Sequence, residues 1–424
     1  VDVVVLGGGM AGIGAACAAS DLGMDTVLVE RLGWLGGNGT SGGVRGFCGE
    51  TRGQGRVFSD IIRGLQDFEA IEPYFPARTV FFKGRKYEHQ YLVLVLDRLV
   101  KEHGFNLMLH SRVIDLIVER DHVIAAIIAG KDGLKAIRAS FFIDCTGDAD
   151  ACRAAGCQVM KGRRSDGLQL PMSIIGFYRN AGLFNPRGRN LSTQVTGKKI
   201  REKSDKPMTS FSRSGRCSRG VKIKVPMHDS TTTDGITRAE MEGRQVLLRV
   251  LQYYQEREGK RWELDHLSPI IGIREGARIK GEYILTVDDC RRGRSFPDGI
   301  AVGHYPLDAH DPTDDKRTYI LERSELRVPP YDIPLRSLIP AGMKNLMVAG
   351  RNLSADQLAL SSARVMTTCC AMGQAAATAI HLCMEENIDP LALAVEGPNK
   401  LQQAVKQQGI HLEHDLYTPV ERIE

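Results

Sequence analysis

Two hydrophobic patterns alternate along the chain. Short unbroken apolar runs, such as "VDVVVLG" (1–7), "DTVLVE" (25–30), "ASFFIDC" (139–145) and "KNLMVAG" (344–350), suit strands buried on both faces of a parallel sheet. Between them, "HSRVIDLIVERDHVIAAIIAGKDGLKAIRAS" (110–140) alternates like an antiparallel meander, with a Lys-Asp-Gly turn at 131–133. Further on, "LQLPMSIIGFYRN" (168–180) reads as a strand, and "TRAEMEGRQVLLRVLQYYQEREG" (237–259) as an amphipathic helix capped by Thr237. "ARIKGEYILTVDDC" (277–290) is a strand or strand-to-helix passage, and "NKLQQAVKQQG" (399–409) a short helix. The most apolar window, 365–384, holds Gln374 and His381 and follows Arg364, so it reads as a buried helix and not a membrane span.

The first apolar run ends in "GGGMAG" (7–12) at the mouth of a small-residue helix. In this G-x-G-x-x-G, Gly7 permits the tight turn, Gly9 lets backbone approach a pyrophosphate, and Gly12 lets helix and strand pack closely. The helix start, at Met10 and Ala11, offers free N–H groups to that pyrophosphate. Glu30 closes the second run 18 residues after Gly12, where a carboxylate accepts both ribose hydroxyls of an adenine dinucleotide and repels a 2′-phosphate. NADP is therefore disfavoured.

After Glu30 and Arg31 comes a second glycine cluster, "LGWLGGNGTSGGVRGF" (32–47), where an NAD dehydrogenase usually runs into another helix. Here the sequence resembles the glutathione-reductase-like flavoproteins. The resemblance puts Gly36, Gly37 and Thr40 along the ribityl and pyrophosphate region of FAD, and the backbone of Val113 against the adenine. It also places the Thr146-Gly147-Asp148 turn, and Gly350-Arg351 after the last apolar run, close to the flavin. Gly373, in the long helix, would press against the first strand–turn–helix unit.

With "IGIREGARIKGEYILTVDDC" (271–290), "FPDGIAVGHYPLDAHDP" (296–312) and "YDIPLRSLIPAGMKNLMVAGRN" (331–352), the chain looks like an FAD-dependent oxidoreductase related to the FAD subunit of heterodisulfide reductase. The resemblance implies a Rossmann-like α/β FAD/NAD(P)-binding fold with a parallel central sheet. Residues 1–160 and 330–395 would form this discontinuous FAD domain, 161–329 an inserted α+β substrate domain, and 396–424 a helix and tail. Family members commonly carry a hydroxyl residue and an arginine where this chain has Gly276 and Ala277, and a histidine where Gln357 stands.

A flavin performs the redox step, so the protein must position a substrate carbon and handle a proton. In "GHYPLDAHDP", His304 and His310 flank Asp308; neutral imidazole accepts a proton near pH 7 and a carboxylate orients it, although the histidines could equally serve loop backbone. Arg274 and Arg278, with Glu275 beside them, could clamp an anionic substrate or form a buried ion-pair network. The expected function is oxidation of a polar small molecule, neutral or anionic, by hydride transfer to FAD, with the electron acceptor open. The alternative is an electron-transfer subunit of a larger redox complex, against which stands the lack of iron–sulfur cysteine spacing.

Charge and cysteines refine this only slightly. Segment 161–224 carries 16 lysines and arginines against three acids, while the whole chain is only +5. Its Gly/Ser/Arg-rich part, 181–224, reads as a mobile lid or partly ordered loop, and with Phe211 as the one aromatic of 187–224 it makes a poor nucleic-acid arm. Ten cysteines without C-x-x-C or zinc spacing read as reduced thiols in a cytoplasmic protein holding no metal.

Overall fold

A computed structural model describes residues 1–74, 84–181, 193–196, 210–214, 218–258, 261–313 and 318–418, with backbone only at 193–196 and 210–214. Four of the apolar runs become neighbours in one parallel sheet. Its order is Leu346–Val348, Phe141–Asp144, Val3–Leu6, Thr26–Val29, Asn106–Met108, and every pairing is parallel. Val3–Leu6 is buried on both faces, as a central strand must be.

Helices Met10–Asp21 and Met366–Glu386 lie against each other almost backbone to backbone. A Cβ on Gly373 would stand 1.9 Å from the Ala11 carbonyl oxygen, and one on Gly12 would stand 1.8 Å from the Gly7 carbonyl oxygen. The small-residue pattern therefore serves close packing at two interfaces. The alternating stretch after His110 forms the antiparallel meander Arg112–Glu119, His122–Gly130, Gly133–Arg138.

A second antiparallel sheet has the order Thr193–Thr196, Ser210–Ser214, Ser218–Val225, Met172–Asn180, Trp262–Leu267. Helix Thr233–Glu258 packs across it, and Ile174, Tyr178, Ile223, Val250, Tyr254 and Trp262 fill a separate core between them. Thr237 is not the cap of this helix. It lies inside, its hydroxyl donating to the Thr233 carbonyl, while Thr232 accepts from the Gly235 N–H at 3.1 Å. The pattern had shown only the helix's apolar face, which starts later than its backbone.

The basic stretch also differs from a loop where it is described. Ser218–Val225 is an internal strand, because Val221, Ile223 and Val225 find the second core; most of the remaining stretch lies outside the described residues. Nor does the second core extend to residue 329. It ends at Ile273, and from Ala277 the chain returns to the first core. There Ala277–Ile279 pairs with Val159–Lys161, and Gly299–Gly303 with Tyr331–Pro334. Helix Pro398–Gln407 joins the same core through Leu401 and Val405.

Candidate active site

A cavity of about 1120 Å³, including its open mouth, lies over the carboxyl ends of the parallel strands, the position where open α/β sheets bind ligands. Gly7, Gly9, Met10 and Ala11 line its floor, Glu30 and Arg31 the end of the second strand, and Gly36 and Gly37 the following loop. Val113, Thr146, Gly147, Gly350 and Arg351 complete the wall. These residues were expected at the cofactor, and they converge from segments hundreds of residues apart.

The cavity's chemistry suits a dinucleotide. Helix Met10–Asp21 has Gly9 at its N-cap, with no side-chain cap and no acid in its first turn, so its leading N–H groups point out unclaimed by side chains. A Cβ on Gly9 would meet nothing within 4 Å, leaving room there for a ligand. Gly7 has φ +109°, and a Cβ there would lie 2.5 Å from the Cys145 carbonyl oxygen, which ties the turn to the end of strand Phe141–Asp144. Glu30 accepts from the N–H of Gly8 (2.6 Å) and Leu32 (2.7 Å), and burial raises its pKa despite those bonds.

Four expected cofactor residues act through others. Gly12 and Gly373 are packing positions, as above. The Thr40 hydroxyl donates to the Leu35 carbonyl, and Asp148 accepts from Arg351 at 2.9 Å. A Cβ on Gly276 would stand 1.8 Å from the Asp148 carboxylate, so the departure there leaves room for this acid. Asp144 anchors the third turn by accepting from Thr146, Asn352 and the Cys152 N–H.

Sequence reasoning missed the cavity's roof. Ile270, Ile271 and Ile273 come from the second lobe, held by Asn38 donating to the Ile273 carbonyl at 3.0 Å. Met366 and Cys369, at the uncapped start of the long helix, also line it. So does Arg364, which caps the short helix Gln357–Ala363 and reaches the expected proton-handling loop. Its Nη2 donates to the carbonyl and the carboxylate of Asp308, each at 3.0 Å.

Asp308 in turn sits 3.1 Å from His310 Nε2. Burial works to raise the Asp308 pKa, but His310, Arg364 and Arg274 outweigh it and hold the carboxyl well below its usual range. Burial, with Arg274 next, pushes His310 down to about 3, so its imidazole is neutral at pH 7. Arg274, buried and donating to the Pro171 carbonyl at 2.7 Å, is pushed to about 10 by burial and then Arg364. Lys222, on Ser218–Val225, is brought down to about 8 by burial and then Arg274. Cys48 and Tyr305, hydrogen-bonded to each other, stand within electrostatic reach of Asp308.

Two expected catalytic residues do not join this cluster. His304 Nε2 accepts from the Glu50 N–H (2.9 Å) and its Nδ1 faces the Val302 carbonyl (3.0 Å), so backbone occupies both ring nitrogens. The ring stacks on Tyr417, and burial lowers its pKa. Arg278, 2% exposed, donates to the Gly162 carbonyl at 2.8 Å and pairs with Glu275 at 3.3 Å. Of its two readings, the buried ion pair is the one the structure holds. Gln357 completes that network, donating to Glu275 and to the Leu168 carbonyl.

Fold and cavity together define a Rossmann-type FAD flavoprotein. A family model described as "FAD dependent oxidoreductase" matches residues 2–405, and the chain belongs to that family. It is an FAD-dependent enzyme. A flavin-dependent brominase, Bmp2, has a similar structure at 13% identity and TM-score 0.50, over 95% of this chain and 84% of the other. The myxobacterial chondrochloren halogenase CndH, an FAD-dependent halogenase, matches at 12% identity and TM-score 0.50, over 96% and 78%. At such identities the likeness is one of fold. No curated protein sequence matches the chain. Among the described residues, no helix is long and apolar enough to cross a membrane, and no group of three or more His, Cys, Asp or Glu could hold a metal.

Proposed function

We propose that the enzyme oxidises a polar small molecule bearing an anionic group, with Asp308 and His310 handling the proton. The observation that carries this reading is the link Arg364 makes: this residue lines the cofactor cavity and its guanidinium holds Asp308, which holds His310. Bound FAD would supply the acceptor for a hydride from a substrate carbon. Gly7, Gly9, Met10 and Ala11 would hold its pyrophosphate and Glu30 its ribose.

The chain's own groups have separable tasks. Lys222, Arg274 and Arg364 gather around Asp308 and offer positive charge to a carboxylate or similar group. With Nε2–H donated to Asp308, His310 keeps its lone pair at Nδ1 to take the proton of a substrate hydroxyl or amine. An anion seated beside Arg274 would offset the charge that holds His310 down, so substrate binding would raise the basicity of its own base. Asp308 fixes the imidazole orientation and compensates the imidazolium that forms.

His310→Gln should retain FAD but lower the rate of flavin reduction by roughly 100-fold in single turnover, the scale of a lost general base. Reduction at the wild-type rate would overturn the assignment.

A further inference from the structure

Helix Asp150–Ala154 begins two residues after Asp148, behind the turn that lines the cofactor cavity. Its end has a defined geometry. The Cys157 N–H donates to the Cys152 carbonyl at 2.9 Å, the Gly156 N–H donates to the Arg153 carbonyl at 3.1 Å, and Gly156 is left-handed at φ +79°. These two bonds around a left-handed glycine make a Schellman motif. In that motif the third residue from the helix end and the third residue past it bring their side chains together. Here those two positions are both cysteines, Cys152 and Cys157, and each thiol shifts the pKa of the other.

The two thiols differ as an exchanging pair should. Cys152 is fully buried, and burial pushes its pKa well up. Cys157 is only partly buried, and the Cys152 thiol beside it lowers its pKa. Thiolate character and access favour Cys157 as the attacking group. The neighbouring carboxylate, Asp144, accepts from the Cys152 N–H at 2.9 Å and stands against both thiols, raising the Cys152 pKa further and opposing the lowering at Cys157.

We propose that Cys152 and Cys157 form a dithiol that closes to an intrachain disulfide by exchange with a low-molecular-weight disulfide such as oxidised glutathione. The Cys157 thiolate attacks one glutathione sulfur, forming a mixed disulfide and releasing one glutathione thiolate. Cys152 then gives its proton to solvent and attacks the Cys157 sulfur, expelling the second glutathione. Two protein thiols are oxidised and one glutathione disulfide is reduced to two thiols. The bond staples the end of a helix whose start, Asp150, lines the cofactor cavity and accepts no other covalent constraint among the described residues.

The test uses the full chain with FAD bound. Reduced protein is incubated with oxidised glutathione, quenched in acid, alkylated under denaturing conditions and mapped by mass spectrometry. Wild type should lose two alkylatable thiols, both in one peptide joined Cys152 to Cys157. Cys152→Ser should stop at a stable glutathione adduct on Cys157, and Cys157→Ser should leave Cys152 alkylated as a thiol; flavin absorbance confirms that both variants are folded. Full alkylation of both cysteines in the wild type, or their oxidation to partners elsewhere in the chain, would overturn the proposal.

Discussion

Arg364 Nη2 stands 3.0 Å from the Asp308 carboxylate while the same residue forms part of the cofactor cavity wall. This contact joins the two lobes' chemistry. It links the helix pair at 357–386 to the loop 304–311, and through that loop to Lys222 and Arg274 on the second lobe.

Removing Arg364 should therefore separate stability from activity. Arg364→Met leaves a mostly buried carboxylate without its guanidinium, a loss on the scale of about 3 kcal/mol. Removing both partners, in Arg364→Met/Asp308→Leu, should restore most of that stability, because two uncharged side chains replace a desolvated pair. Activity should stay low in both. Chemical denaturation alongside single-turnover reduction would check this.

The pH profile should report Lys222. Its pKa is lowered, to about 8, so the cation is present below that pH and is lost as pH rises through it. If it helps hold an anionic substrate, kcat/KM should fall above about pH 8. The limb in kcat should lie higher, since a bound anion favours the protonated amine. Lys222→Met should remove the limb and raise KM. No limb near the ordinary imidazole pKa of about 6.5 is expected, because His310 is already held down to about 3.

His304 should prove expendable for chemistry. Its nitrogens serve Glu50 and Val302 backbone, so His304→Gln should lower thermal stability but keep the rate of flavin reduction within about threefold of wild type. That contrasts with the roughly 100-fold loss expected for His310→Gln. Equal losses in the two variants would show that the loop acts as one unit.

Gly9 and Gly12 should respond oppositely to a methyl group. Gly9 has φ −68° and empty space at its Cβ, so Gly9→Ala should fold normally and lose FAD affinity by at least about tenfold through the filled cradle. Gly12→Ala drives a Cβ into the Gly7 carbonyl, and overpacking of this kind costs about 1–3 kcal/mol or more. Thermal melts of the FAD-free proteins and flavin titrations would separate the two effects.

These contrasts also show what the sequence made legible. The first strand, its glycine turn and the long small-residue helix were readable from their motif and composition, although only Gly12 answers a local crowding, at the Gly7 carbonyl, while Gly7 and Gly373 meet Cys145 and Ala11 from far along the chain. The three cofactor segments were readable as pieces, since each ends an apolar strand. The cluster around Asp308 was only half readable. Asp308 and His310 share a turn-rich loop, but Lys222 lies in a stretch dominated by surface-type residues, and Arg364 between two helices looks like any helix-end cation. Only the packing of the second sheet against the first lobe brings them together. His304 misled because its partners are backbone atoms, which leave no mark in composition or spacing.

The most direct test is an anaerobic visible spectrum of the FAD-bound protein during addition of paired substrate pools, hydroxy acids against neutral alcohols and amino acids against neutral amines. Bleaching of the flavin by an anionic pool, and little by its neutral counterpart, is the expected result. Failure to bind FAD would contradict the cofactor site, and rapid bleaching by neutral compounds alone would contradict the role given to Lys222, Arg274 and Arg364.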